Sequence, residues 1–409
     1  MQIYEFSAFE TLQQNCLKSG LHMLQVQGKT LLPVVQGGMG VGVSAGGLAG
    51  AVANLGAMGT VSSVDLRRLH PDLMVLTGKL DKEPDARQQI ESANLIALDR
   101  EIKKAQQLAN GRGLIAVNIM KALNQYAGYV QQSLMSGADA IVVGAGLPLD
   151  LPDLAKDFPG TALIPILSDA RGVQLLIRKW EKKRRLPSAI IIEHPKLAGG
   201  HLGAANIEDL NDLRFNFDVA IPAILEFFKT AGLEGHIPLI AAGGISCMDD
   251  IVRLQALGGS AVQLGTAFAV TQECDAPLAF KTILAQAHPN DLQEFVSVAG
   301  LPARAVKTPW LEKYIRIESK LQERAHVKKK CNMSFDCLQH CGLRDGQSKM
   351  GQFCIDQQLG HALMGDVQKG LFFRGSGLLP FGENIRPVKD LLAWLTTGVD
   401  AIKYPLTVF

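Results

Sequence analysis

Eight short apolar runs punctuate the chain, at 31–36, 57–62, 114–120, 140–144, 163–168, 189–192, 238–242 and 261–265. They are continuous rather than alternating, the pattern of parallel strands covered on both faces. Between them lie longer stretches with helical periodicity, at 44–54, 84–110, 171–185, 217–231 and 248–257, and a last one at 276–287. Strand and helix in regular succession predict a (β/α)8 TIM barrel. The polar stretch 65–88 reads as a loop insertion after the second strand. From about Pro309 the βα rhythm stops, so the chain divides into a barrel with a short N-terminal lead-in (1–308) and a mostly helical C-terminal extension or cap (309–409).

Composition narrows the function classes. With 409 residues, 47% of them hydrophobic, the chain can bury one large core plus an appendage. Forty-one basic and 39 acidic residues leave a net charge of +2, which offers no field for nucleic acid or an anionic membrane surface. The opening MQIYEFSAFE lacks a basic segment followed by an apolar one, and no apolar stretch is long enough to span a bilayer. Seven cysteines, an odd number, fit reduced thiols or a metal site rather than a disulfide framework. These readings predict a cytoplasmic protein acting on small molecules.

Glycine placement points to where chemistry would occur. The sixth run leads into AGGHLG at 198–203, which sets His201 in a frame without side-chain bulk at a barrel strand's carboxyl end, where catalytic groups gather. The seventh run ends in AAGGI (241–245) and the eighth in QLGT (263–266). Paired glycine loops at these two positions suit a phosphate, although glycines also serve simply to turn a strand. The first run ends in Gly37, Gly38, Gly40 and Gly42. Residues 40–45 also satisfy G-x-G-x-x-A, with Asp65 about 20 residues on, where a dinucleotide fold places its ribose ligand; the strand-like runs that follow favour the barrel, with backbone closely approaching a flat ring.

Together the first-strand glycines, AGGHLG, AAGGI and QLGT resemble the nitronate monooxygenase (2-nitropropane dioxygenase) family, FMN-dependent TIM barrels related to flavin-dependent enoyl-acyl-carrier-protein reductases. The resemblance covers about 30–310 and is carried most clearly by PVVQGGMGVGVS (33–44), with QECDAPLAFK (272–281) similar to one bacterial subgroup. It implies that Gly38 and Met39 lie against the flavin and that Asn118 bonds the isoalloxazine edge. It also implies that Gly199 and Gly200 line the flavin site and that Gly243, Gly244, Gln263, Gly265 and Thr266 hold its phosphate end. His194 stands where many members carry glutamine, and is expected at the flavin or in an exposed turn before Pro195. His201 falls on the family's active-site histidine.

For such a histidine two roles are open, general base toward a nitroalkane or charge partner of a nitronate, with dioxygen as co-substrate and a carbonyl compound and nitrite as products. The same constellation would serve an NAD(P)H-dependent flavin reductase of an enoyl thioester or quinone, or a phosphate-ligand binding barrel without turnover. Cys331, Cys337, Cys341 and Cys354 form C-x5-C-x3-C-x12-C, a density that suits zinc or an iron–sulfur cluster as well as packed thiols, with His340 as a substitute ligand. Phe372 and Phe373 are expected either to dry the barrel mouth or to fill an ordinary core. Lys196 reads as an anion partner or an exposed lysine, Cys247 as a small residue at a helix start, and RKWEKKRR (178–185) as the solvated end of the fifth helix.

Overall fold

The structure, a computed structural model, describes residues 7–78, 85–327, 331 and 333–400. The basic run 328–330 lies outside them. Eight parallel strands close into a barrel: β1 Val34–Gln36, β2 Met58–Ser62, β3 Leu114–Met120, β4 Ala140–Gly144, β5 Ala162–Leu167, β6 Ile190–Glu193, β7 Leu239–Ala242 and β8 Ala261–Leu264. Neighbours in sequence are neighbours in the sheet, and β8 pairs with β1 through Gln263 and Val35. All eight apolar runs therefore form barrel strands.

Side-chain phase sorts each strand into two cores. Val35, Met58, Ala116, Val142, Ile164, Ile191 and Ile240 fill the barrel interior, while Val34, Val117, Val143, Leu163, Ile192 and Ala241 pack outward on the helices. The first apolar run is divided, because Pro33 has no N–H to give a ladder. Lys29–Leu31 instead pairs antiparallel with Leu24–Val26 across a two-residue turn at Gln27 and Gly28, both with positive φ. Leu24, Val26 and Leu31 belong to the interior cluster and plug one end of the barrel.

Of the expected helices, 84–110 and 217–231 appear as Ala86–Ala109 and Phe217–Thr230, and 171–185 is shorter, Ala170–Glu181. Its basic end is exposed at Arg178 and Lys179, and Arg185 turns back to donate to the carbonyls of Phe158 and Thr161. Helices that were not foreseen include Ala8–Lys18, opened by a Ser7–Glu10 capping box, Tyr126–Met135, and the single turns Leu151–Leu154 and Thr266–Ala269. The insertion after β2 holds a 3-10 turn, Leu66–Leu69, and the helix Pro71–Thr77.

After the helix Leu278–Gln286 come antiparallel β9 Leu292–Val296 and β10 Pro302–Val306. Gly200–His201 joins their sheet as a third strand, with Ala303 opposite His201. The extension carries the helices Pro309–Glu323, Ile355–Leu363 and Val388–Thr397. Its last helix packs on Ala8–Lys18 and on Met248–Ala256, and Trp394 donates its indole N–H to the Ser246 carbonyl at 2.8 Å. The C-terminal quarter thus packs back on the barrel it follows.

Candidate functional site

A cavity of about 320 Å³ opens at the carboxyl ends of the barrel strands. Strand phase determines which side chains reach it. On β6, Ala189 and Ile191 point inward and Ile192 outward, so Glu193 is the next inward residue and His194 the next outward one. Glu193 accordingly lines the cavity. His194 does not. Its Nε2 lies 3.2 Å from Asn216 Oδ1 and its ring meets Phe217 edge-on at 5.3 Å, among the helices outside the barrel. The expected flavin contact at His194 is corrected to a packing role, and a carboxylic acid occupies the cavity instead.

The other expected cofactor residues converge. Gly38, Met39, Asn118, Gly199, Gly200, Gly243, Gly244, Gln263, Gly265 and Thr266 all line this one cavity, with His201. The amides of Asn118 and Gln263 make no side-chain hydrogen bond among the described residues and are free to meet a ligand's polar edge. At two positions only glycine fits. A Cβ on Gly38 would run into the side chain of Asn118, and one on Gly199 into the backbone at Arg374 and Gly375.

That backbone belongs to a strap, residues 371–377, by which the extension returns over the glycine loops. Val306 N–H donates to the Phe372 carbonyl at 2.8 Å, Gly375 N–H to Thr266 Oγ1 at 3.1 Å, and Ser376 N–H to the Leu197 carbonyl at 3.2 Å. Phe372 is fully buried against Phe280, whereas Phe373 lines the cavity with its ring 5.6 Å from His201. The two phenylalanines divide between the alternatives the sequence left open. Arg374 had no sequence signal. It is buried, it is the only lysine or arginine among the described residues that line the cavity, and its guanidinium donates to the carbonyls of Leu284, Gly375 and Gly377 with no carboxylate partner among the described residues. Burial lowers its pKa from the ordinary arginine value.

The cavity's titratable groups are displaced in opposite senses. Burial holds the His201 imidazole down at about 4, and its Nε2 has no hydrogen-bond partner. Burial pushes the Glu193 carboxyl up to about 7, and that group forms no hydrogen bond or ion pair with another described residue. Across the mouth, Asp356 from the extension is pushed up to about 7 by burial and by the facing Asp65, against the pull of Arg68. Arg68 Nη2 reaches Asp356 Oδ2 at 2.6 Å and its Nε bonds Asp65, fastening the extension to the insertion after β2.

Of the four clustered cysteines only Cys337 lines the cavity. None is in a disulfide, and Cys331, Cys341 and Cys354 all bear electrostatically on Cys337. The spacing expected to enclose zinc or an iron–sulfur cluster gathers the thiols in one region. Yet among the described residues no three cysteine, histidine or acidic side chains are grouped to hold a metal ion. His340 and Lys196 are exposed, and Cys247 caps the helix Met248–Ala256, its Sγ 3.5 Å from Asp250. No helix among the described residues is long and apolar enough to cross a membrane.

Comparison with known proteins agrees with this architecture. The structure superposes on a nitroalkane oxidase from Streptomyces ansochromogenes with a TM-score of 0.60 at 19% identity, covering 96% of this chain and 100% of that one. It superposes on FabK from Thermotoga maritima with a TM-score of 0.59 at 22% identity, covering 91% and 94%. In sequence it is 25% identical over 296 residues to a probable nitronate monooxygenase of Bacillus subtilis, spanning 70% of this chain and 80% of that protein. The family model for nitronate monooxygenase matches residues 23–398, nearly the whole chain. The chain belongs to the nitronate monooxygenase family of flavin-dependent oxidoreductases.

Proposed function

We propose that the protein binds FMN and oxidises alkyl nitronates with dioxygen to a carbonyl compound and nitrite. The observation that carries this reading is the buried, unpartnered Nε2 of His201, a residue that lines the cavity where the glycine loops of β1, β6, β7 and β8 meet. A polar atom left without a partner in an enclosed site costs free energy until a ligand satisfies it.

The residues present fit the cofactor. Gly38 and Met39 would approach the flavin ring, and the free amide of Asn118 would bond its edge. Gly243, Gly244, Gln263, Gly265 and Thr266 would surround the phosphate, with the positive charge of Arg374 beside Gly375 and Gly377 complementing it. When bound, the flavin supplies the two-electron chemistry and the transfer to dioxygen.

The protein's own part is placement and charge. His201 is neutral at physiological pH, because its site disfavours the imidazolium. In the tautomer protonated at Nε2 it donates a hydrogen bond to a nitronate oxygen, and the arriving anion raises its pKa, so His201 serves as the charge partner. Phe373 covers the ring and keeps water from competing for that bond.

Anaerobic mixing of the yellow holoenzyme tests the proposal. Bleaching by an alkyl nitronate in the absence of nicotinamide supports it. Bleaching by NADPH and not by nitronate would replace it with a nicotinamide-driven reductase, and a purified protein without flavin absorbance would leave a non-catalytic barrel.

A further inference from the structure

Between the end of β6 at Glu193 and His201 the chain runs through a loop, residues 194–199, whose carbonyls are engaged one after another. The His194 carbonyl accepts from the N–H groups of Leu197 and Ala198, both at 3.0 Å. Ser376 of the strap donates its hydroxyl to the carbonyls of Lys196 and Leu197, at 3.2 and 3.4 Å. The carbonyls of Pro195 and Ala198 both accept from one side chain, Arg304, whose Nη1 lies 3.4 and 2.5 Å from them.

Arg304 stands on β10 and is 3% exposed. The antiparallel register sets it directly opposite Glu294 of β9, and its Nη2 donates to Glu294 Oε1 at 2.5 Å. That carboxylate supplies the counter-charge a buried guanidinium requires, and it engages one arm of the fork while the other is turned on the loop. The backbone of the same strand holds the far end of the loop. Arg304 pairs with Gly200 and Ala303 with His201, and the Leu202 N–H donates to the Pro302 carbonyl at 2.8 Å. The Arg304 carbonyl in turn accepts from the Arg374 N–H of the strap at 3.4 Å.

We propose that Arg304 is the positioning residue of this site, holding the loop that carries Gly199, Gly200 and His201 at the depth at which the imidazole meets its ligand, with Glu294 aiming the guanidinium. This rests on the functional reading above and names the residue that aligns its hydrogen-bond donor. Arg304 does not line the cavity, so its effect passes through the Pro195 and Ala198 carbonyls to the glycines that do. Lysine could not replace it, because an ammonium on a flexible stem lacks the planar fork that spans Glu294 and two carbonyls together. A shift of the imidazole by about 1 Å is enough to cost about 100-fold in turnover.

The test uses Arg304→Lys and Glu294→Gln in the full chain. In the FMN-loaded enzyme Arg304→Lys is expected to lower kcat for an alkyl nitronate by about 10- to 100-fold with KM little changed, the sign of lost alignment rather than lost binding. In the flavin-free protein NMR titration of His201 is expected to move up from about 4 toward the ordinary imidazole value, as the loosened loop admits water. Glu294→Gln keeps the arginine and an amide oxygen to accept from it, and is expected to move both readouts the same way by less. A purely structural arginine would lower the yield of folded protein and leave kcat per bound flavin and the imidazole titration as in the wild type; that result overturns the proposal. A raised KM with unchanged kcat also overturns it. Should Arg304→Lys fail to fold, Glu294→Gln decides, and an unmoved imidazole there is refutation. A wild type without nitronate turnover sinks the functional reading, whereas the imidazole titration judges the positioning by itself.

Discussion

Replacing His201 with glutamine should make the flavin-free protein more tolerant of acid. In the folded state burial holds the imidazole at about 4, whereas in the unfolded chain it titrates near the ordinary 6.5. The unfolded state therefore binds the proton more readily, and stability falls as pH drops from the unfolded value toward the folded one. A separation of about 2.5 pH units corresponds to roughly 3.4 kcal/mol once both forms are protonated. At about pH 5 the same linkage gives roughly 2 kcal/mol, and at about pH 7.5 almost nothing. Urea unfolding of wild type and His201→Gln at these two pH values isolates the effect, because every other titrating group is common to both and cancels in the difference. The wild type should lose roughly 2 kcal/mol more than the variant between the two conditions. Identical pH dependence would refute the argument that His201 is buried in its neutral form, as would an imidazole resonance titrating near its ordinary value by NMR.

Four further outcomes follow from the geometry. Gly38→Ala should drive its methyl into Asn118 and raise the FMN dissociation constant about tenfold or more, read by fluorescence titration, while the apo-protein keeps its circular dichroism. Arg374→Met should leave the carbonyls of Leu284, Gly375 and Gly377 without donors, lowering stability by about 1–3 kcal/mol in urea unfolding and weakening FMN retention on dialysis. Phe373→Ala should admit water to His201 and move its pKa up toward the ordinary value, measurable by NMR titration of the imidazole. Cys354, pushed up by burial to about 12 from 9.0, should alkylate in the native protein about 1,000-fold more slowly at mildly alkaline pH than after unfolding, as followed by mass spectrometry.

The barrel was legible because strands buried on both faces must be apolar throughout, and that requirement leaves runs such as 114–120 and 140–144 unmistakable. The glycine loops were legible for a similar reason: close approach excludes a side chain, and the exclusion is written in residue type. Reading β6 by phase would also have separated Glu193 from His194. Matching a motif position instead put the histidine in the site and passed over the acid. The strap could not be read in this way. Its bonds join Gly375 to Thr266 and Ser376 to Leu197, and nothing local in RGSG records a partner more than a hundred positions away. The cysteines show the converse limit, since spacing along the chain brought four thiols together without arranging any three to share a metal ion. Where the first apolar run ended and the ribbon began turned on Pro33, a single missing N–H.

The strap also fixes an order of events in biosynthesis. Phe373, Arg374 and Gly375 wall the cavity, yet they emerge from the ribosome long after the barrel strands they cover. A nascent chain that has completed all eight strands still lacks the covering of His201, the positive charge of Arg374 and the contact that ties Thr266 in place. A chain cut before residue 371 would keep the glycine loops and lose the wall that Phe373, Arg374 and Gly375 close over them.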